Sequence, residues 1–164
     1  GHQSGKILFS TKEPSLKKLS GYITESVKAT ILSISPDMEI SKYKLWAEGW
    51  ININHKGTLH FPHTHTGSTL SGVFYVKVPK ATNIDPEEIK KPGYIEFLDP
   101  RNDVKPFAHG NKELSASLTF NDAMLIEPKE GKLIIFPSWL KHWVYPNNET
   151  DERISISFNT RIIQ

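Results

Sequence analysis

A chain of 164 residues with 20 basic and 18 acidic side chains, a formal net charge of +2 and no cysteine fits a single domain over 1–164. The missing cysteines exclude disulfides, thiolate metal sites and cysteine nucleophiles, and the small positive excess predicts no nucleic-acid partner. No run approaches the roughly 18 apolar residues that span a membrane, and the opening GHQSGKILFS lacks an apolar stretch of signal-peptide length, so the expectation is a cytoplasmic protein with no membrane contact.

Residues 13–33 carry a helical pattern. Leu16, Leu19, Ile23, Val27 and Ile31 recur at three- and four-residue steps, Pro14 suits a first turn, and Ser35-Pro36-Asp37 ends the segment. From residue 43 onward the chain reads as strands. Lys44–Asn54 alternates around Leu45, Ala47, Trp50, Ile51 and Ile53, and further strands are expected at 70–78, 94–98, 123–127, 132–136 and 153–159. Turn chemistry separates them at His55-Lys56-Gly57, Pro92-Gly93, Asp99-Pro100, Glu130-Gly131 and Pro146-Asn147-Asn148. One helix followed by short strands predicts a mainly β protein, a sandwich or barrel with the helix packed on the larger sheet. Residues 80–92 and 101–122 read as loops, and the second could cover a site.

Three histidines carry the chemistry. Side chains at i and i+2 of a strand share a face, so His63 and His65 can grip one ion from one extended segment. Gly131 permits a tight turn before the apolar run Leu133–Phe136. Pro137 stops strand pairing, a corner follows, and His142 begins the return. Three protein ligands leave positions open for substrate or water. His-x-His also occurs by chance on exposed strands. His55, His60 and His109 lack such context and read as structural or surface residues.

Arg153 and Ser155 share one face of the last strand, with Ile154, Ile156 and Phe158 on the other. An inward arginine needs an anion, and a carboxylate accepts its two-pronged hydrogen bonds. The plainer alternative is an internal salt bridge to Asp99 or Glu96.

The His63-x-His65 pair, and the spacing from Gly131 through Pro137 to His142, resemble the two cupin motifs. Thr69 and Leu70 stand where the first motif would carry glutamate. This resemblance implies a double-stranded β-helix, the cupin-like jelly roll. HTHTGSTLSGVFYVKVP (63–79), FLDPR (97–101), EGKLIIFPSWLKHWVYPN (130–147) and RISISFN (153–159) together resemble the 2-oxoglutarate- and iron(II)-dependent oxygenases. They are most similar to small bacterial and phage members with a His-x-His motif. The likeness covers most of residues 45–160.

The resemblance implies Fe(II), 2-oxoglutarate as cosubstrate, and decarboxylation to succinate coupled to hydroxylation of a C–H bond. It assigns iron to His63 and His142, and the distal carboxylate to Arg153 and Ser155, with Tyr75 adding a hydroxyl. The family's usual acid is His65 here, which either completes a three-histidine site or lies outside the ligand set. Asp99 is a remote substitute, or belongs to a turn or to substrate binding.

Trp139, Trp143, Arg101 and the loop at 101–122 are candidates to line a pocket for a small-molecule or peptide substrate. The competing readings are a three-histidine zinc hydrolase or lyase, and a non-catalytic cupin-like module that binds a small acid. Neither the substrate nor the oligomeric state is legible in the sequence.

Overall fold

A computed structural model describes residues 1–80, 92–100 and 123–164. The helical stripe forms α1 (Pro14–Ile34). Its start is capped by the Glu13 carboxylate, which accepts from the Ser15 amide, and Pro14 occupies the first turn, where a missing N–H costs nothing. Ile23, Val27 and Ile31 are buried on one side. Among the described residues no helix is long and apolar enough to cross a membrane.

The strands are β1 (His2–Gln3), β2 (Lys44–Asn54), β3 (His60–His63), β4 (Leu70–Lys77), β5 (Ile95–Leu98), β6 (Ala123–Ile126), β7 (Leu133–Pro137), β8 (His142–Val144) and β9 (Arg153–Ile163). They form two antiparallel sheets, ordered β1-β2-β9-β4-β7 and β3-β8-β5-β6. This is the double-stranded β-helix. β9 outruns the expected end at 159 because β2 offers it a partner along its whole length, from Asn54 opposite Arg153 to Lys44 opposite Ile163.

The alternation of β9 decides what each face of the larger sheet does. Ile156 and Phe158 are buried on the outer face, clustered with Ile23, Val27 and Ile31 of α1 and with Leu70. The helix therefore packs on the outside of the larger sheet, as its stripe predicts. Phe158 lies so close to β4 that a Cβ at Gly72 would stand 2.3 Å from its ring, so only glycine fits there. A second cluster of Val73, Tyr75, Ile95, Phe97, Phe136 and Val144 fills part of the space between the sheets. The rest of that space is faced by polar side chains: Asn52 of β2, and Arg153, Ser155 and Ser157 of β9. Polar groups inside and apolar groups under a helix invert the usual sandwich pattern, and polar interiors need hydrogen-bond partners or a ligand.

Candidate metal centre and anion pocket

β3 and β8 bring the histidines together. His63 sits directly opposite His142 in the ladder. His65 lies just beyond β3, in a turn tied to the corner after β7: its amide donates to the Ser138 carbonyl at 2.9 Å, and the Ser138 hydroxyl donates to the Ser68 carbonyl. Gly131, at φ 79°, makes the turn that launches β7, with its N–H on the Tyr75 carbonyl at 2.9 Å. Pro137 ends that strand.

One ligand nitrogen from each of His63, His65 and His142 lies within 4.8 Å of the other two. The Nδ1 of His63 is 2.6 Å from the Phe61 carbonyl, and that of His142 is 2.9 Å from the Leu140 carbonyl. A carbonyl only accepts, so both rings carry their proton on Nδ1 and offer a lone pair at Nε2. The Nε2 atoms of His65 and His142 are 3.3 Å apart, a pair that shares either a proton or an ion. Two nitrogens about 2.1 Å from one metal, at right or tetrahedral angles, stand about 3.0–3.4 Å apart. The donor set therefore fits a divalent metal. Phe136 and Phe97 hold the His142 ring, with centroids 4.7 and 5.6 Å away.

Burial first, with His63 beside them adding to it, holds the pKa of His65 and of His142 down at about 4. The pKa of His60 is also depressed to about 4, first by burial and then by Arg153. The unfolded chain protonates these rings near 6.5, so it takes up protons before the folded chain does as pH falls. The stability they contribute is complete above about pH 6.5 and is lost as pH falls toward about 4. Urea unfolding of metal-free protein across that window should show a steady decline, and a flat profile would contradict the burial of neutral imidazoles.

Arg153 and Ser155 line the same cavity as the three histidines, and Tyr75 stands opposite Ser155 in the β4–β9 ladder. The cavity has a free volume of about 510 Å³, including its open mouth. Arg153 is 2% exposed and Tyr75 fully buried. The guanidinium donates to the Ser155 hydroxyl at 3.3 Å and lies 5.0 Å from the Tyr75 ring centroid. Among the described residues Arg153 Nε and the Tyr75 hydroxyl make no hydrogen bond of good geometry, although the two groups face each other. Burial lowers the arginine pKa and raises that of the tyrosine, while each group favours the other's charged form. A buried cation with an unmet donor beside an unmet hydroxyl fits a carboxylate. Glu96, one candidate for an internal salt bridge, instead accepts from the Tyr145 hydroxyl.

The family model described as "Putative 2OG-Fe(II) oxygenase" matches residues 48–159. The chain belongs to this 2-oxoglutarate- and iron(II)-dependent oxygenase family. The family implies iron(II) and 2-oxoglutarate, and both the histidine cluster and the arginine pocket fit them. No curated protein matches the chain. Similar solved structures include a Pseudomonas putida prolyl-4-hydroxylase, at 19% identity and TM-score 0.44, covering 70% of this chain and 51% of that one. A 2OG-Fe(II) oxygenase family oxidoreductase from Burkholderia pseudomallei is 13% identical at TM-score 0.47, covering 73% and 46%. Prolyl 4-hydroxylase from Phytophthora capsici is 13% identical at TM-score 0.48, covering 82% and 39%. The chain thus spans between 39% and 51% of the length of these proteins.

The other candidate residues fall elsewhere. Trp139 is 60% exposed at the β7–β8 corner and does not line the cavity. Trp143 alternates with the inward His142 and Val144 and packs on Tyr145, ring centroids 4.1 Å apart. Asp99 is buried just past β5 and is not among the lining residues. Arg101, His109 and the loop at 101–122 lie outside the described residues. His55 is a surface group 3.2 Å from Glu152. His60 departs from its expected structural or surface role, because it lines the cavity. On a regular strand, residues 60 and 63 would face opposite ways. The β3–β8 ladder shifts register between them, and both turn inward. Trp50 and Asn52 also line the cavity without having been singled out, although their i, i+2 spacing on β2 was the available signal.

Proposed function

We propose that the chain is an iron(II)- and 2-oxoglutarate-dependent dioxygenase that hydroxylates a small-molecule or peptide substrate. In this reading His63, His65 and His142 hold the metal, and Arg153, Ser155 and Tyr75 hold the cosubstrate's distal carboxylate. The observation that carries it is one cavity with three convergent imidazoles and a buried arginine whose Nε has no partner among the described residues. A zinc hydrolase or lyase would use the histidines and leave that arginine without a task.

When bound, iron(II) would let dioxygen, the oxidant, convert 2-oxoglutarate to succinate and CO2, with one oxygen atom entering succinate and the other the substrate's C–H bond. The chain supplies position and charge. Three neutral imidazoles leave a divalent metal its full charge, one unit more than a carboxylate-containing triad would. A dianionic cosubstrate complements that charge and the guanidinium together. Ser155 and the Tyr75 ring fix the guanidinium in its plane, so its fork faces the carboxylate before binding. Tyr75 keeps its proton, because burial raises its pKa, and can donate to the same carboxylate. Val73, Ile95, Phe136 and Val144 exclude water from the remaining walls.

Protein purified without chelator should carry iron in preference to zinc and release succinate when given 2-oxoglutarate and oxygen. Zinc as the resident metal, with no succinate from iron-reconstituted protein, would contradict the proposal.

A further inference from the structure

Resting on that assignment of the Arg153 pocket, we infer that His60 is the end wall of the cosubstrate pocket. It separates this pocket from a second polar chamber that can take the carboxylate of a longer 2-oxo diacid. His60 stands opposite Val144, on the side of the His63–His142 pair toward the start of β3. Asn54 stands opposite Arg153, where β2 ends and β9 begins. The Nε2 of His60 is 3.2 Å from Asn54 Oδ1, which ties the ring to that end of the barrel.

Two cavities meet at this point. One contains the histidine cluster, Arg153 and Ser155. The other, a cleft open to solvent, is lined by Gly1, His2, Asn54, Thr58 and Leu59. Gln3, Asn52 and His60 line both, so they form the partition. On the far side lies an unmet donor: Asn54 is 2% exposed, and its Nδ2 has no hydrogen-bond partner among the described residues. A buried amide without an acceptor is costly unless a ligand or an ordered water meets it. Removing the imidazole would join the two spaces and expose that donor to an acid one methylene longer than 2-oxoglutarate. A carboxylate is an acceptor such a donor would hold, and Arg153 lines the first cavity on the near side of the partition.

Anaerobic calorimetry of the iron-loaded protein with 2-oxoglutarate and with 2-oxoadipate tests this. The parent should prefer 2-oxoglutarate by about 10–200-fold, the usual discrimination for one methylene in a pocket of fixed length. His60→Ala should shrink that preference by about tenfold or more through tighter binding of the longer acid. His60→Gln, which keeps bulk and a donor, should retain the parent's preference. Adding Asn54→Leu to His60→Ala should remove the gain. Iron content checks that each variant is folded, and His60→Ser carries the same test where the alanine variant fails to hold iron.

An unchanged preference in His60→Ala overturns the inference and leaves Asn54 to a water. Equal loss of both acids overturns it too, and makes His60 a support for Arg153 alone. A parent that binds neither acid overturns the oxygenase assignment along with it.

Discussion

Arg153→Ala should leave iron content near that of the parent and weaken 2-oxoglutarate binding by about 1.5–3 kcal/mol or more, at least about tenfold. Arginine is no metal ligand, and among the described residues its guanidinium reaches Ser155 and the Tyr75 ring. What it loses is a charge-assisted, forked contact inside a site with little water. Arg153→Lys should recover part of the affinity, because an ammonium keeps the charge but not the planar fork. The stability of the ligand-free protein carries the opposite sign. Burying a guanidinium with one hydroxyl partner is unfavourable, so Arg153→Met should be as stable as the parent or more so in chemical denaturation. A structural arginine would behave in reverse, with a large stability loss and unchanged cosubstrate affinity.

His63→Ala and His142→Ala should each abolish metal uptake, measured as metal per chain after reconstitution with iron. Each removes one of three nitrogens from a cluster with no carboxylate in its donor set. His142 has the most prepared position: 4% exposed, fixed by the Leu140 carbonyl and clasped by Phe97 and Phe136. His65→Asp should retain iron, because it restores the two-histidine, one-carboxylate set usual for iron(II) oxygenases. Full metal content in both alanine variants, with circular dichroism showing them folded, would mean that the site is misassigned.

The features that the sequence made legible were those with strong local periodicity. The α1 stripe and the β9 alternation of Arg153 and Ser155 against Ile156 and Phe158 are each legible within a few turns or residues, and each faces where its pattern implies. β3 and β8 were not legible as strands. They are four and three residues long, too short to show alternation, and their pairing joins His63 to His142 across almost half of the chain. The inward turn of His60 stayed hidden because a register shift overrides the period of two. The close approach of Phe158 to Gly72 has no local signature at all. Trp139 follows Pro137 at a corner, where an aromatic looks the same in sequence whether it turns inward or, as here, outward.

The most direct test of the iron–2-oxoglutarate centre is an anaerobic titration followed in the visible spectrum. Iron(II) and 2-oxoglutarate together should produce a charge-transfer band that neither produces alone. The band should saturate at one cosubstrate per chain, require a higher 2-oxoglutarate concentration in Arg153→Ala, and be absent in His142→Ala. No band in the parent protein, or a band equally strong in His142→Ala, would contradict the assignment and favour the zinc enzyme or the binding module.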